Sequence, residues 1–111
     1  MKLDQTLTPD LKIVHVREGR IDAACAIDFK EAMREQLEGL DRRVMLDLTQ
    51  VGFIDSSGLG AVVAVRKMLG PDRVLELAGL TPAVEKVFRL TRMDSVFPIH
   101  PQLPADLRDA V

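Results

Sequence analysis

The stretch VGFIDSSGLG, residues 51–60, joins two segments of different character and decides how the chain folds. Before it, residues 44–48 form a short apolar run that is typical of a buried strand. After it, residues 59–69 are largely apolar until Gly70 and Pro71 end the run, and this length favours a helix over a strand. The quoted residues are therefore predicted to form the turn through which a strand passes into a helix.

Strands and helices alternate in the same way along the rest of the chain. Residues 11–16 are β-branched and nearly alternating, which predicts a strand with one covered face. From Asp22 to Leu40 the apolar residues recur with a helical period, and Asp22 is placed to cap that helix. The other expected elements are an N-terminal strand, a strand at residues 73–78, a helix opened by Thr81-Pro82 with Glu85 completing a capping box, an edge strand at residues 96–99, and a closing helix at residues 103–111.

This order, roughly ββαβαβαβα, predicts an α/β fold. Because helices separate the later strands, those strands are expected to run parallel, with the helices as crossovers. We expect a single domain, residues 1–111, built on a small mixed β-sheet that is flanked by about four helices. A hydrophobic content of 47% is enough for one core without disulfides or a structural metal.

The composition disfavours several classes of function. The net charge is −2 and both signs are interspersed, which disfavours binding to nucleic acid or to an anionic membrane. No run approaches the roughly 18 uncharged apolar residues of a membrane span, so we expect no membrane insertion and a cytoplasmic protein. Cys25, His15 and His100 lack the spacing of a metal site, and the chain has no phosphate-binding glycine loop, so neither a metal nor a cofactor is expected.

The candidate chemistry lies in Asp55-Ser56-Ser57-Gly58. Ser57 is predicted to cap the following helix, which leaves the Ser56 hydroxyl free to react. Gly58 and Gly60 would let the surface of another protein approach the backbone. The same residues also suit an ordinary turn with a cap, and both interpretations stay open. A serine hydrolase is disfavoured because neither serine lies in a G-x-S-x-G elbow, so no enzymatic activity is expected.

The helix after the serines has no charged residue from Ser57 to Val65. Its apolar residues fall on two sides, and a helix that is apolar on two sides must be covered on both. Either a neighbouring helix covers the second side, or the serine end of this helix belongs to a partner-binding surface. One side carries Ala61, Ala64, Val65 and Met68, and the other carries Leu59, Val62 and Val63.

Three separated segments resemble the STAS domain, the sulfate transporter and anti-sigma factor antagonist fold. The first is Gly19-Arg20-Ile21-Asp22 with Ala26 and Phe29 after it, and the second is residues 44–60 with DSSGLG at its centre. The third is Leu80-Thr81-Pro82-Ala83-Val84 with Val87 and Phe88. Their order and spacing fit a full domain, so the resemblance covers nearly the whole chain and is closest to stand-alone bacterial anti-sigma factor antagonists.

The resemblance implies a protein that works by binding. In such antagonists the serine directly after the aspartate, Ser56 here, is the phosphoacceptor. The unphosphorylated form captures an anti-sigma factor that is itself a serine kinase, phosphorylation releases it, and a metal-dependent serine phosphatase restores capture. Asp22 and Asp55 match acids that lie beside the phosphoacceptor. The implied partner-binding residues are Asp22, Ala23, Ala26, Phe53, Asp55, Ser56, Ser57, Gly58, Leu59 and Val62.

The resemblance leaves a second function open. Other members of the fold act without phosphorylation, and the same surface would then serve a scaffold subunit of a lipid-transport or stress-signalling complex. Arg20 stands where an acid is common in the family, and Cys25 where a small or hydroxylated residue is usual. These two departures fall in the expected interface and therefore bear on which partner is bound.

Overall fold

The structure is a computed structural model that describes residues 1–104. Within that range the chain forms seven strands, three α-helices and a single 3₁₀ turn at Met93–Ser95. The strands are β1 (Leu3–Leu7), β2 (Leu11–Val16), β3 (Arg20–Ile21), β4 (Arg43–Asp47), β5 (Phe53–Ile54), β6 (Leu75–Ala78) and β7 (Ile99–His100). The helices are α1 (Ala26–Leu37), α2 (Ser56–Met68) and α3 (Pro82–Leu90).

Five strands form one mixed sheet in the order β1-β2-β4-β6-β7. β1 pairs antiparallel with β2, and every later pair in this sheet is parallel. β3 and β5 form a separate parallel pair of two residues each. The predicted α/β fold with a mixed sheet and parallel later strands is confirmed.

One face of the sheet carries the main core, to which all three helices contribute. The register places Val14, Leu46 and Leu77 side by side on this face, and each is fully buried. Phe29 of α1 and Phe88 of α3 are also fully buried in the same cluster. Burying a side chain of this size contributes about 1.5–3 kcal/mol, so this face supplies most of the hydrophobic stabilisation.

The opposite face of the sheet carries a small apolar cluster and a row of polar side chains that are hydrogen-bonded to one another. His15 and Asp47 are opposite each other in the register of β2 and β4, and Nδ1 of His15 lies 2.6 Å from Oδ2 of Asp47. The other ring nitrogen of His15 lies 2.8 Å from the Thr6 hydroxyl, and the amide of Thr49 donates to Oδ1 of Asp47 at 2.9 Å. Asp47 is 3% exposed, so these hydrogen bonds satisfy a buried carboxylate. The apolar members of this face are Leu11, Ile13, Met45 and Ala78, with Leu103 packed against them.

Several expected element boundaries and one expected cap are corrected. The last strand, β7, begins at Ile99, after Pro98. It lies at the edge of the sheet and pairs with β6. Thr81 precedes α3 as expected, but its hydroxyl donates to the Val51 carbonyl at 2.8 Å and makes no cap. The closing helix expected at residues 103–111 does not include Leu103 or Pro104, and its other residues lie outside the described range.

Candidate functional site

The entrance to α2 is capped by Asp55. Its Oδ1 accepts a hydrogen bond from the Gly58 amide at 2.8 Å, and its backbone is extended, as an N-cap requires. The expectation that Ser57 caps the helix and that the helix begins near Leu59 is wrong, because α2 begins at Ser56. A carboxylate forms a charge-assisted hydrogen bond to an amide, which a serine hydroxyl cannot match.

The second oxygen of the Asp55 carboxylate joins this helix to the turn that precedes α1. Oδ2 accepts from the Ala23 amide at 3.0 Å. The hydrogen bond from Gly58, reinforced by that from Ala23, holds the pKa of Asp55 below its ordinary value. Asp55 therefore remains ionised at neutral pH and fixes two separated segments against each other.

Asp22 stabilises the turn before α1 instead of capping the helix itself. Its Oδ1 accepts from the Ala24 amide at 3.1 Å, and its carbonyl oxygen accepts from the Cys25 amide at 3.1 Å. The N-cap position of α1 is occupied by Cys25, which makes no side-chain cap. The predicted cap at Asp22 is thus wrong by one turn, because the chain makes a tight turn between β3 and the helix.

Gly58 allows the start of α2 to lie directly against β3. A Cβ atom at this position would overlap the carbonyl oxygen of Ile21 and would lie 2.7 Å from its carbonyl carbon and 2.9 Å from Cγ1 of Ile54. Backbone-to-backbone packing of this kind is possible only for glycine. Gly58 therefore determines how closely the first turn of α2, with Ser56 and Ser57, packs against β3.

The ten predicted binding residues divide by accessibility. Ala23, Phe53, Ser56 and Ser57 are exposed, and Asp22, Asp55 and Leu59 are half-buried. Ala26, Gly58 and Val62 are buried, and Val62 has no exposed surface at all. The structure therefore corrects the expectation that Val62 faces a partner: it lies on the side of α2 that packs into the main core.

Ser56 and Ser57 occupy the first turn of α2, at the positive end of the helix dipole. Within residues 1–104, no protein group forms a hydrogen bond with either hydroxyl. The cap interaction is made by Asp55, so the two hydroxyls are not needed to satisfy the helix. The positive end of the helix dipole would favour an added anion at this position.

Sequence reasoning missed one contact of Arg20 and one exposed side chain, Ile27, beside the predicted surface. The guanidinium carbon of Arg20 lies 5.4 Å from the centre of the Phe53 ring, which is a cation–π contact across the β3–β5 pair. Ile27 is 70% exposed in the first turn of α1. The helical period could have identified Ile27 as exposed, because it lies between the core positions Ala26 and Phe29 and points away from the buried side of α1 that they share.

The Asp55→Ala variant is expected to melt about 5 °C lower than the wild type, as is typical for the loss of an N-cap in a domain of this size. The loss arises because the amides of Gly58 and Ala23 are both left without an acceptor. Circular dichroism melting measures it. Asp94→Ala, in the exposed 3₁₀ turn, is the matched control and should leave the melting temperature unchanged. Equal melting of Asp55→Ala and wild type would show that the bridge contributes nothing to stability.

Comparison with known proteins gives consistent matches. The STAS domain family model matches residues 2–105. The Anti-sigma-B factor antagonist of Listeria monocytogenes is 36% identical over 84 residues, which cover 73% of this chain and 72% of that protein. An anti-sigma factor antagonist from Mycobacterium paratuberculosis superimposes with a TM-score of 0.82 at 26% identity, covering 99% of this chain and 92% of that one. The Bacillus protein SpoIIAA in its phosphorylated form has a TM-score of 0.65 at 16% identity, with 98% and 97% covered.

In residues 1–104 no helix has the length and apolar character needed to cross a membrane. The family match extends over both halves of the site described above, the turn at Asp22 and the start of α2 at Ser56. The STAS family model matches most of the chain, and the similar proteins described above are anti-sigma factor antagonists. The chain therefore belongs to the STAS domain family.

Proposed function

We propose that this protein is a cytoplasmic anti-sigma factor antagonist whose binding surface is controlled by phosphorylation of Ser56. In its unphosphorylated form it binds an anti-sigma factor that is a serine kinase, and this releases the sigma factor for transcription. A metal-dependent serine phosphatase returns the phosphorylated form to the binding state. The protein acts through binding and catalyses no reaction itself.

The observation that carries the proposal is the position of Ser56. It is exposed, its hydroxyl has no protein partner within the described residues, and it stands on the first turn of α2. Asp55 holds it next to the turn at Asp22 and Ala23, so the two segments form one continuous surface. A relative named Anti-sigma-B factor antagonist is 36% identical over 84 residues, which supports the same role here.

Phosphorylation would change the charge of this surface without requiring a change of fold. A phosphoserine carries a charge of about −1.5 to −2, and the helix N-terminus stabilises it within its own chain. The new charge lies beside the ionised Asp55, so it adds to an existing negative charge and repels an acidic partner surface. Against an apolar partner surface, the cost of removing water from the phosphate opposes binding. A loss of about 2.7 kcal/mol in binding corresponds to a hundredfold weaker complex.

The proposal is tested by capturing partners from the lysate of the source organism with the Ser56→Ala and Ser56→Asp variants. We expect Ser56→Ala to retain an anti-sigma factor kinase and Ser56→Asp to bind it at least a hundredfold more weakly. The captured kinase is then purified and incubated with ATP, Mg²⁺ and the wild-type protein, and phosphopeptide mapping should place the phosphate on Ser56. Ser95→Asp, an exposed serine of the 3₁₀ turn, is the matched control and should bind like the wild type.

Two results would contradict the proposal. If Ser56→Ala and Ser56→Asp capture the same partner with equal affinity, the phosphoswitch is wrong and a constitutive scaffold subunit explains the surface better. If the kinase phosphorylates the protein elsewhere and Ser56→Ala is modified like the wild type, Ser56 is not the acceptor.

A further inference from the structure

A groove between α1 and α2 leads away from the end of α2 that carries the serines. Its volume is about 430 Å³. The residues that line it are Ile27, Lys30, Glu31, Arg34, Ala64, Lys67 and Met68. A second depression of about 350 Å³ shares Arg34 and Met68 with the first, so the groove continues along the contact of the two helices.

Part of the groove lining is apolar and open to solvent. Ile27 is 70% exposed, and Ala64 and Met68 are only half-buried. These residues offer an apolar strip to a partner.

The rim of the groove is basic in an acidic protein. Lys30 and Arg34 lie on the α1 side and Lys67 on the α2 side, against two acids, Glu31 and, in the second depression, Glu38. Glu31 lies 3.9 Å from Arg34, but both side chains are more than 60% exposed, and such a surface pair is weak. The groove therefore carries a net positive charge, while the whole chain carries −2.

The groove lies on the side of α2 that carries Ser57, the residue next to the proposed phosphorylation site. Ser57 and Ala64 are seven residues apart on α2, which is about 10 Å along the helix and nearly two turns, so they lie on the same side. Gly60 is exposed between them, and a Cβ atom there would meet nothing within 4 Å. A partner that lies in the groove would thus pass over the backbone at Gly60 and reach the serines.

We infer that this groove binds an acidic amphipathic helix of the anti-sigma factor. The apolar side of that helix would pack on Ile27 and Met68, and its carboxylates would face Lys30, Arg34 and Lys67. Phosphate on Ser56 would then act by repelling the same negative charges that the groove attracts. This inference rests on the proposed function and specifies the chemistry of the partner.

The test measures the affinity of the purified anti-sigma factor kinase for the Lys30→Glu/Lys67→Glu variant by calorimetry. We expect the variant to bind at least tenfold more weakly than the wild type. When NaCl is raised from low to high concentration, the affinity of the wild type should fall more steeply than that of the variant. Arg73→Glu/Lys86→Glu carries the same change in charge outside the groove and is the matched control. Ile27→Ala, which removes only exposed surface, should weaken binding without lowering the melting temperature.

The outcomes separate this inference from the proposed function. If the groove variant binds within twofold of the wild type while Ser56→Asp releases the kinase, the helix lies elsewhere and only the groove assignment is wrong. If Ser56→Asp binds as well as wild type, the proposed function is wrong instead. If light scattering finds a dimer that the groove variant abolishes, a second copy of this chain occupies the groove, and the inference is overturned.

Discussion

The Gly58→Ala variant is expected to lose about 3 kcal/mol or more of its free energy of unfolding, because its new methyl group would occupy the space of the Ile21 carbonyl. The atoms that it meets belong to the backbone of β3 and to the buried side chain of Ile54, and neither can rotate away. The start of α2 must therefore move away from β3, and Asp55 moves with it. Urea denaturation measures the loss, and weaker binding of the anti-sigma factor should accompany it.

Gly60→Ala is the matched control, with an effect of the opposite sign. Both glycines lie inside α2, and alanine is favoured over glycine in a helix by about 1 kcal/mol. Nothing lies within 4 Å of the added Cβ at Gly60, so this variant should be more stable than wild type. If Gly58→Ala is also stabilised, the close contact of α2 with β3 does not exist in solution.

The Asp47→Ala variant is expected to lose about 3 kcal/mol of stability at neutral pH, because it breaks a buried, hydrogen-bonded pair. The ring of His15 and the amide of Thr49 both lose their acceptor in a site that is closed to water. Asp47→Asn keeps an oxygen for these donors but removes the charge, so it should be less destabilised. Asp72→Ala, at an exposed turn, is the control and should unfold like the wild type.

The effect of Asp47 is expected to depend on pH. Burial opposes its ionisation, but the hydrogen bonds from His15 and Thr49 outweigh burial and hold the pKa below its ordinary value of 3.8. A carboxyl whose pKa is lowered by folding stabilises the protein above its unfolded pKa and loses that contribution as the pH falls through the folded value. The stability difference between wild type and Asp47→Ala should therefore shrink as the pH falls below about 4. A difference that grows below this pH would contradict the assignment.

The order of the elements was predictable because it depends on local pattern. The β-branched run of β2 and the helical period of α1 are each contained in fewer than 20 consecutive residues. β2 formed where expected, and α1 formed inside the expected segment but begins one turn later. The cap of α2 was not predictable in the same way. Asp55, Ser56 and Ser57 are all good N-cap residues, and the choice among them depends on where Gly58 meets Ile21, which is a contact between distant parts of the chain.

Two other features of the site and the sheet depended on contacts that no local pattern reveals. Val62 belongs to a helix that is apolar on two sides, and only the position of α2 on the sheet decides that it is buried. His15 had no partner within its own segment, because Asp47 lies 32 residues away and meets it through the register of β2 and β4. In both cases the residue type was compatible with several environments, and tertiary packing selected one.

Because Ser56 lies in the first turn of a packed helix, an enzyme that modifies it must recognise a shape and not a linear sequence motif. The main chain around Ser56 is already committed to the helix, and its neighbour in space, Ala23, is more than 30 residues away in sequence. If Ser56 is the phosphoacceptor as proposed, the substrate is assembled only on folding, and an unfolded or newly made chain lacks it. Regulation through this residue would therefore act on the folded population alone, which couples the signal to the amount of native protein present.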